Sequence, residues 1–590
     1  MARWFNDNRP MTQVSEHELA LTAIENLRIG NLVEAERLCQ EVFATDASHP
    51  VACFVKGRLL DGKGQKSEAI AFLRQALERD PSNSGLHHYL GVMLGSARES
   101  SRAEMSLLEA VRLNPADPEI RVSLGRIFLA QNKLAQSRDA YSQCLRISPN
   151  HPAALEGLGD VSLHENRKPA AEHFYRSAVR VHSGSSSLLN KLANLLAQRG
   201  LAHEAEEHYR RALALEPGFA DAHFNLGSAC GRAGRTREAL HHLRQAVALQ
   251  SNFKEAWETL AMTLEEENDL QEAVACWERV LELDPGWIKG RWASSLTLLK
   301  MGWLLEGWAA YEYRFQLPEL IPPRKFSAPL WDGQAFDKQT LLITAEQGLG
   351  DTIQFIRYAQ RVKALGGTVV VECQAPLVAL LKDCSGVDQV VASGQPLPHY
   401  DWHVSLMSLP HIFQTTLATI PSDTPYLRTT ASVDRKPGQP NQVGLVWAGN
   451  PKQQRDRMRS CRFEDLLPLF EIPSIRWVCL QKEVPLSDQD AVASCERLVR
   501  VNLEDFSSTA EQVSSLDLVI SVDTSVAHLA GALNVPVWIL LAKAGDWRWL
   551  LDRDDSPWYP TARLFRQRQA GDWNEVVRRV SEELKKKREY

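Results

Sequence analysis

Three stretches of the sequence combine residue types suited to work on an activated anion. The first is Glu346-Gln347-Gly348-Leu349-Gly350-Asp351, which follows a short apolar run and opens an amphipathic one. Gly348 and Gly350 let a backbone approach a ligand, and the amino end of a helix favours negative charge. Asp351 reads either as a carboxylate that takes a proton from an acceptor hydroxyl or as an N-cap for the amides of Ile353 or Gln354. The second stretch is Gly444-Leu445-Val446-Trp447-Ala448-Gly449-Asn450-Pro451, followed by Lys452, Arg455, Arg457 and Arg459. A strand that runs into a small-residue turn and then into cations suits a diphosphate, with arginine as a planar fork and lysine as a point charge. The same cations also read as a solvated basic loop in which Asp456 pairs with its neighbours. In the third stretch, Ser521 to Leu533, a buried strand meets a helix at Asp523, Thr524 and Ser525. Hydroxyls and unused backbone N–H groups there would hold an anion, or Asp523 and Thr524 would simply cap the helix. His528, one turn further on, reads as a ligand contact or as a core imidazole. Gln481 and Lys482, at another strand end, are weaker candidates to touch a base or ribose.

Several other chemistries are excluded or disfavoured. Asp552-Arg553-Asp554-Asp555 has the form of a metal-binding DxD motif, but it falls after the last expected strand rather than at a strand end inside a nucleotide fold. The sequence therefore predicts no metal site and no resident cofactor. Ser525 has His528 nearby but no GxSxG elbow, which disfavours a hydrolase. No GxGxxG turn with an acidic residue about 20 positions on is present, which ranks a nicotinamide-dependent oxidoreductase last.

The elements that must position these residues are short apolar runs alternating with amphipathic stretches. Strands are predicted at Leu341 to Ala345, Thr368 to Glu372 and Val387 to Val391, with a helix over Thr352 to Leu365. A second series runs through Val443 to Ala448, Arg476 to Gln481, Leu498 to Val501, Leu516 to Val522 and Val535 to Leu541. Alternating strands and helices imply parallel sheets with right-handed crossovers, here in two Rossmann-like lobes divided near Asp434 to Asn441.

Ahead of them lies a repeat. Gly57, Gly91, Gly125 and Gly159 recur every 34 residues, and the register continues through Ala193, Gly227 and Ala261. Small residues recur 12 positions on (Ala35, Ala69, Ala103, Ser137, Ala171, Ala205, Ala239, Ala273), and Pro81, Pro115, Pro149, Pro217 and Pro285 close many units. Small residues allow two helices to cross closely, glycines such as Gly64, Gly200 and Gly234 make the turn between them, and proline ends the second helix. Trp287 to Phe315 reads as capping helices, and Leu317 to Leu330, with four prolines, as a linker.

Composition sets the outer limits. Of 590 residues, 44% are apolar and 24% charged, which is ordinary globular usage; a net charge of −6 gives no reason to expect a nucleic-acid partner. Lys585 to Arg588 read as the basic end of a terminal helix. No apolar run approaches a membrane span, and Met1 to Pro10 carry Arg3, Asp7 and Arg9 in place of a secretory core. Ten cysteines without a CxxC pair predict reduced structural thiols and a cytoplasmic setting.

The repeat resembles a tetratricopeptide array. The Gly350-Asp351 turn, the Gly-Leu-Val-Trp-Ala-Gly-Asn-Pro stretch and Asp523-Thr524 with His528 are similar to the glycosyltransferase family (family 9 type) that includes the lipopolysaccharide heptosyltransferases. The nearer likeness is to bacterial proteins that fuse such a domain to tetratricopeptide repeats. The resemblance implies a two-lobed GT-B fold and inverting, metal-independent transfer from a nucleotide-sugar. It further implies Asp351 as base, the Asp523–His528 loop as the donor-phosphate site, and a cation after Asn450 on the leaving diphosphate. That family has a lysine shortly before a Trp-Pro pair; here Arg457 and Arg459 precede Ser460, leaving Lys452, Arg457 or Arg459 for the role. O-linked N-acetylglucosamine transferases are a more distant likeness. Their ladder of inner-face asparagines is matched here only by Asn225, among Val55, Tyr89, Ser123, Gly157, Lys191 and Thr259.

The expectation is an α-solenoid followed by an α/β GT-B fold: extension 1–15, eight repeats 16–287, capping helices and linker 288–330, acceptor lobe 331–433, and donor lobe with final helix 434–590. Asp351 would be catalytic and Gln347, Gly348 and Gly350 would form the acceptor-side loop. Gly449, Asn450, Lys452, Arg457, Arg459, Gln481, Asp523, Thr524, Ser525 and His528 would hold the donor. The repeats would recruit a protein or peptide acceptor on their concave face. The rival expectation is a scaffold whose transferase fold no longer turns over.

Overall fold

The computed structural model describes residues 15–429, 441–451, 456–473 and 475–586. It divides between Ala233 and Gly234 into two compact units. The first holds helical hairpins from Glu16–Arg28 to Ala220–Arg232. Its period is written into the backbone: Gly30, Gly64, Arg98, Asn132, Asn166 and Gly200 all adopt positive φ, and Gly234, Asn268 and Gly302 continue the series in the second unit. The left-handed turn recurs every 34 residues even where its occupant is arginine or asparagine, so register rather than glycine defines it. The second helices Lys66–Arg79, Ser100–Leu113 and Leu134–Ile147 stop two residues before Pro81, Pro115 and Pro149.

The recurrent glycine does not simply meet another small residue. A Cβ at Gly91 would lie 2.6 Å from Leu107 Cγ, at Gly125 2.7 Å from Tyr141 Cε1, and at Gly159 2.4 Å from Tyr175 Cε1. Each glycine is the seat for a large side chain 16 residues later. Ala69, Ala103, Ser137 and Ala171 pack buried beside these seats.

The second unit begins with further hairpins, Lys254–Glu267 with Leu270–Leu283 and Ile288–Lys300 with Leu304–Tyr311. Two all-parallel sheets follow. The first has order β3-β2-β1-β4, with β1 Thr340–Thr344, β2 Thr368–Cys373, β3 Gln389–Ala392 and β4 Trp402–Ser405. The second has order β10-β9-β8-β5-β6-β7, with β5 Asn441–Val446, β6 Ile475–Cys479, β7 Leu498–Arg500, β8 Leu518–Val522, β9 Val537–Leu541 and β10 Ala562–Arg566. Every residue of β8 and β9 is buried, the continuous apolar signature of strands covered on both faces.

Three expectations are corrected here. Strands β4 and β10 are additional to those predicted. The helix expected over Thr352 to Leu365 starts at Leu349 and is broken by a 3-10 turn at Ile356–Tyr358. At that break Arg357 is buried, donating to the carbonyls of Pro421 (3.0 Å) and Trp558 (2.6 Å) and to the Tyr426 hydroxyl (3.0 Å), which ties the two lobes together. Lastly, Asp552–Asp555 precedes β10 rather than following the last strand, and Arg553 pairs with Asp555 at 2.7 Å.

One apolar core reaches from β1 and β2 through Trp308, Phe355, Trp547 and Trp558 to β8 and β9. A second covers the other face of the larger sheet, closed by the helix Trp573–Lys586, whose last turn carries Lys585 and Lys586.

Candidate functional site

Loops leaving the carboxyl ends of β1, β5, β8 and β9 converge on one cavity of about 1280 Å³, the place where open parallel sheets bind ligands. Its walls include Gln347, Gly348, Gly350 and Asp351 from the first lobe. The second lobe contributes Gly449, Asn450, Arg459, Gln481, Asp523, Thr524, Ser525 and His528. Lys452 and Arg455 lie outside the described residues, as does the side chain of Arg457.

The first loop is held from beneath by Arg314. This fully buried side chain donates from Nη2 to Glu346 Oε1 at 2.9 Å and to Ser408 Oγ at 2.8 Å. Gly348 is the N-cap of the helix Leu349–Phe355, which makes Asp351 its third residue. The Asp351 carboxylate therefore does not cap Ile353 or Gln354; its Oδ2 accepts from the Gly348 amide at 2.8 Å, closing the turn from inside. Its Oδ1 accepts from Arg548 Nη2.

Gly350 has a packing role that spacing did not reveal. A Cβ there would sit 3.0 Å from His528 Cδ2 and 3.5 Å from Ser525 Cα, so its bareness lets the helices of the two lobes touch. His528 is only 4% exposed. Its ring stacks on Trp549 at 5.3 Å, Nδ1 meets the Tyr559 hydroxyl at 2.9 Å, and Nε2 stands 4.0 Å from Asp523 Oδ1. Burial, reinforced by the Arg548 charge, pushes its pKa down to about 3, so the imidazole is neutral at ordinary pH.

Asp523 behaves oppositely. Burial and the neighbouring Asp546 charge push it up to about 6, against the pull of Arg548. Thr524 is the N-cap of the helix Ser525–Ala532, yet its hydroxyl pairs with Ser521 Oγ at 2.9 Å and makes no hydrogen bond to the helix amides. A positive helix end thus faces the cavity next to Asp523.

In the third wall Gly449 donates to Ser460 Oγ at 2.9 Å, and a Cβ on it would lie 2.5 Å from Arg459 Nη2. Arg459 pairs with Asp456 at 3.0 Å, the neutralising contact that the basic-loop reading anticipated. The Gln481 side chain pins the end of β5: Oε1 accepts from the amides of Trp447 (3.2 Å) and Ala448 (3.1 Å), and Nε2 donates to the Ala448 carbonyl (3.0 Å).

Sequence reasoning missed Asp546, Trp547 and Arg548. They follow β9 in the stretch Gly545-Asp546-Trp547-Arg548-Trp549; an aromatic and charged loop at the carboxyl end of a parallel strand was the available signal. Arg548 donates to Asp546 Oδ1 at 2.7 Å and to Gln354 Oε1 at 2.9 Å, lies over the Trp547 ring at 4.1 Å, and so bridges the lobes. The loop is buttressed by the repeat helices of the same unit: Asn268 Nδ2 donates to the Lys543 carbonyl at 2.8 Å, and Lys543 Nζ meets Glu267 at 2.5 Å. A smaller cavity of about 260 Å³ lies there, walled by Glu265, Thr297 and Lys300 on one side and by Arg459, Asp523, Asp546 and Trp547 of the main cavity on the other.

The N-terminal half is an α-solenoid of tetratricopeptide-type helical hairpins, and two parallel sheets that share a cavity follow it. Tetratricopeptide repeat models match residues 50–83, 90–152, 124–186, 190–236, 220–253 and 254–287. The chain is similar to Protein FlbA of Caulobacter vibrioides, 27% identical over 328 residues. That match takes in 50% of this chain and 54% of FlbA, so the chain spans about half the length of the curated relative it matches. Among solved structures it is similar to the Cut9–Hcn1 hetero-tetramer of APC/C (16% identity, 49% of this chain and 57% of that one, TM-score 0.37). It is likewise similar to YrrB, a TPR protein with an unusual peptide-binding site (20% identity, 31% and 95%, TM-score 0.26). No helix among the described residues is long and apolar enough to cross a membrane.

Proposed function

We propose that the C-terminal region is a GT-B-type glycosyltransferase that moves a sugar from a nucleotide-sugar to a hydroxyl, carried by a protein or peptide that the repeats recruit in the cytoplasm. The observation that supports this most is the convergence of the Gly348–Asp351 turn, the Gly449–Asn450 turn and the uncapped helix end at Thr524 on one cavity. The donor pyrophosphate would rest on the helix end and the cations near Arg459. The acceptor oxygen would bond to the anomeric carbon as the carbon–oxygen bond to phosphate breaks. Its electron pair would leave with the nucleoside diphosphate, and the hydroxyl proton would pass to Asp351. Positioning and charge stabilisation would supply most of the rate.

Calorimetry on the full chain with UDP-, GDP-, ADP- and CDP-sugars tests the reading: one nucleotide class should bind at micromolar levels, and binding of none refutes it. With a donor in hand, Asp351→Asn should retain donor binding and lower transfer by about 10²- to 10⁴-fold.

The second reading is a scaffold without turnover, and a specific observation favours it. Arg548 occupies the proposed base, and the described cavity walls carry seven acidic side chains against four basic ones. It predicts no nucleotide binding at all.

A further inference from the structure

We infer that Arg548 is the guanidinium that meets the departing diphosphate, and that it does so by exchanging Asp351 for phosphate. This rests on the transferase reading above and adds a catalytic residue and an order of events to it.

All three nitrogens of Arg548 are engaged: Nε with Gln354, Nη1 with Asp546 and Nη2 with Asp351. Both oxygens of Asp351 are engaged as well, Oδ2 by the Gly348 amide and Oδ1 by Arg548. Each carboxylate oxygen has two acceptor directions and Arg548 fills one of those on Oδ1, so an acceptor hydroxyl approaching that oxygen has to share it with the guanidinium or displace it. Asp546, Gln354 and the Trp547 face anchor the guanidinium independently of Asp351. One contact can therefore be traded while its plane stays fixed.

Phosphate is the ligand chemistry that makes the trade favourable. A diphosphate offers adjacent anionic oxygens that match the planar fork of arginine, and the uncapped end of the helix Ser525–Ala532 faces the same cavity. Of the arginines that line the cavity Arg548 is the most withdrawn from water, its side chain 12% exposed against 25% for Arg459 and 62% for Arg462. A cation already desolvated and oriented acts on developing charge without reorganising.

In the resulting sequence the donor binds first, its phosphate draws Nη2 from Asp351, and the freed Oδ1 receives the proton of the acceptor hydroxyl. As the acceptor oxygen bonds to the anomeric carbon, the electron pair of the broken bond leaves on the diphosphate beside Arg548.

The test is calorimetry at one fixed pH on the full chain, with inorganic pyrophosphate, and with UDP, GDP, ADP and CDP, each of these four beside its parent nucleoside. The wild type should bind at least one diphosphate; binding of none overturns the transferase reading and this inference with it. Given binding, Arg548→Gln should weaken the diphosphate by about 10- to 100-fold while its nucleoside is unaffected, with Arg548→Lys between. Asp351→Asn should tighten the diphosphate several-fold, because the fork no longer has to leave a carboxylate. That gain should vanish in the Asp351→Asn/Arg548→Gln double variant. Unchanged diphosphate affinity in Arg548→Gln, or a gain that persists in the double variant, overturns the inference and leaves the transferase reading standing. Should Arg548→Gln fail to fold, Arg548→Lys and Asp351→Asn decide: no tightening in Asp351→Asn overturns it.

Discussion

Replacing Gly350 by alanine probes how the lobes meet at the site. The added Cβ would stand 3.0 Å from His528 Cδ2, so about half an ångström of movement is needed to restore ordinary contact. His528 cannot yield easily, stacked on Trp549 at 5.3 Å and bonded to Tyr559 at 2.9 Å. Overpacking of this kind costs about 1–3 kcal/mol, and exchange of glycine for alanine in a first helical turn returns up to about 1 kcal/mol. The net loss of stability should therefore be about 0–3 kcal/mol by denaturant titration. Function should suffer more. The strain falls on the helix that carries Asp351 and on the one whose amino end faces the cavity, and displacements approaching 1 Å between reacting groups cost on the order of 10²-fold. Calorimetry with the bound nucleotide and a turnover assay should show losses of about 10- to 100-fold. A Gly350→Ala protein with wild-type affinity and turnover would refute the claim that glycine is needed there for the approach of the two helices.

In the repeats, Gly159→Ala should lower stability by about 1–3 kcal/mol because its Cβ would lie 2.4 Å from Tyr175. Gly57→Ala, 3.2 Å from Leu73 Cγ, should stay within about 1 kcal/mol of wild type; melting curves in the reverse order would contradict the seat geometry. Asp523, pushed up to about 6, is neutral below that pH, so affinity for an intact nucleotide-sugar should fall as pH rises through 6, and Asp523→Asn should flatten that slope in calorimetry. The sign for stability is the same: the folded state holds more protons than the unfolded one between about pH 4 and 6, so stability from this group is lost as pH rises across that window. Asp523→Asn should accordingly gain most above pH 6 in denaturant titrations. Lys543→Met removes a half-exposed ion pair with Glu267 and should cost no more than about 1 kcal/mol of stability, yet weaken diphosphate binding several-fold through the loop that carries Arg548. Unchanged affinity would separate that loop from its buttress.

The amino-acid sequence by itself determined what is periodic or local. The 34-residue register, the turn that recurs from Gly30 to Gly302, the prolines two residues past the helix ends, and the buried strands β8 and β9 are all readable from it, because each is a property of neighbours along the chain. Edge strands β4 and β10 escaped notice. Their segments, Trp402-His403-Val404-Ser405 and Ala562-Arg563-Leu564-Phe565-Arg566, mix polar and apolar residues because part of each strand's side chains stays partly exposed, so no continuous apolar run marks them. The candidate loops were legible for the same reason as the strands they follow, but the states of their side chains were not. That Asp351 is held by an arginine 197 positions away, that Gly350 serves a helix contact with His528, and that Gln481 is spent on the backbone of a neighbouring strand were decided by tertiary structure alone. These are pairings across lobes and between strands. Their energies depend on which surfaces are brought together and desolvated, and no local spacing encodes that.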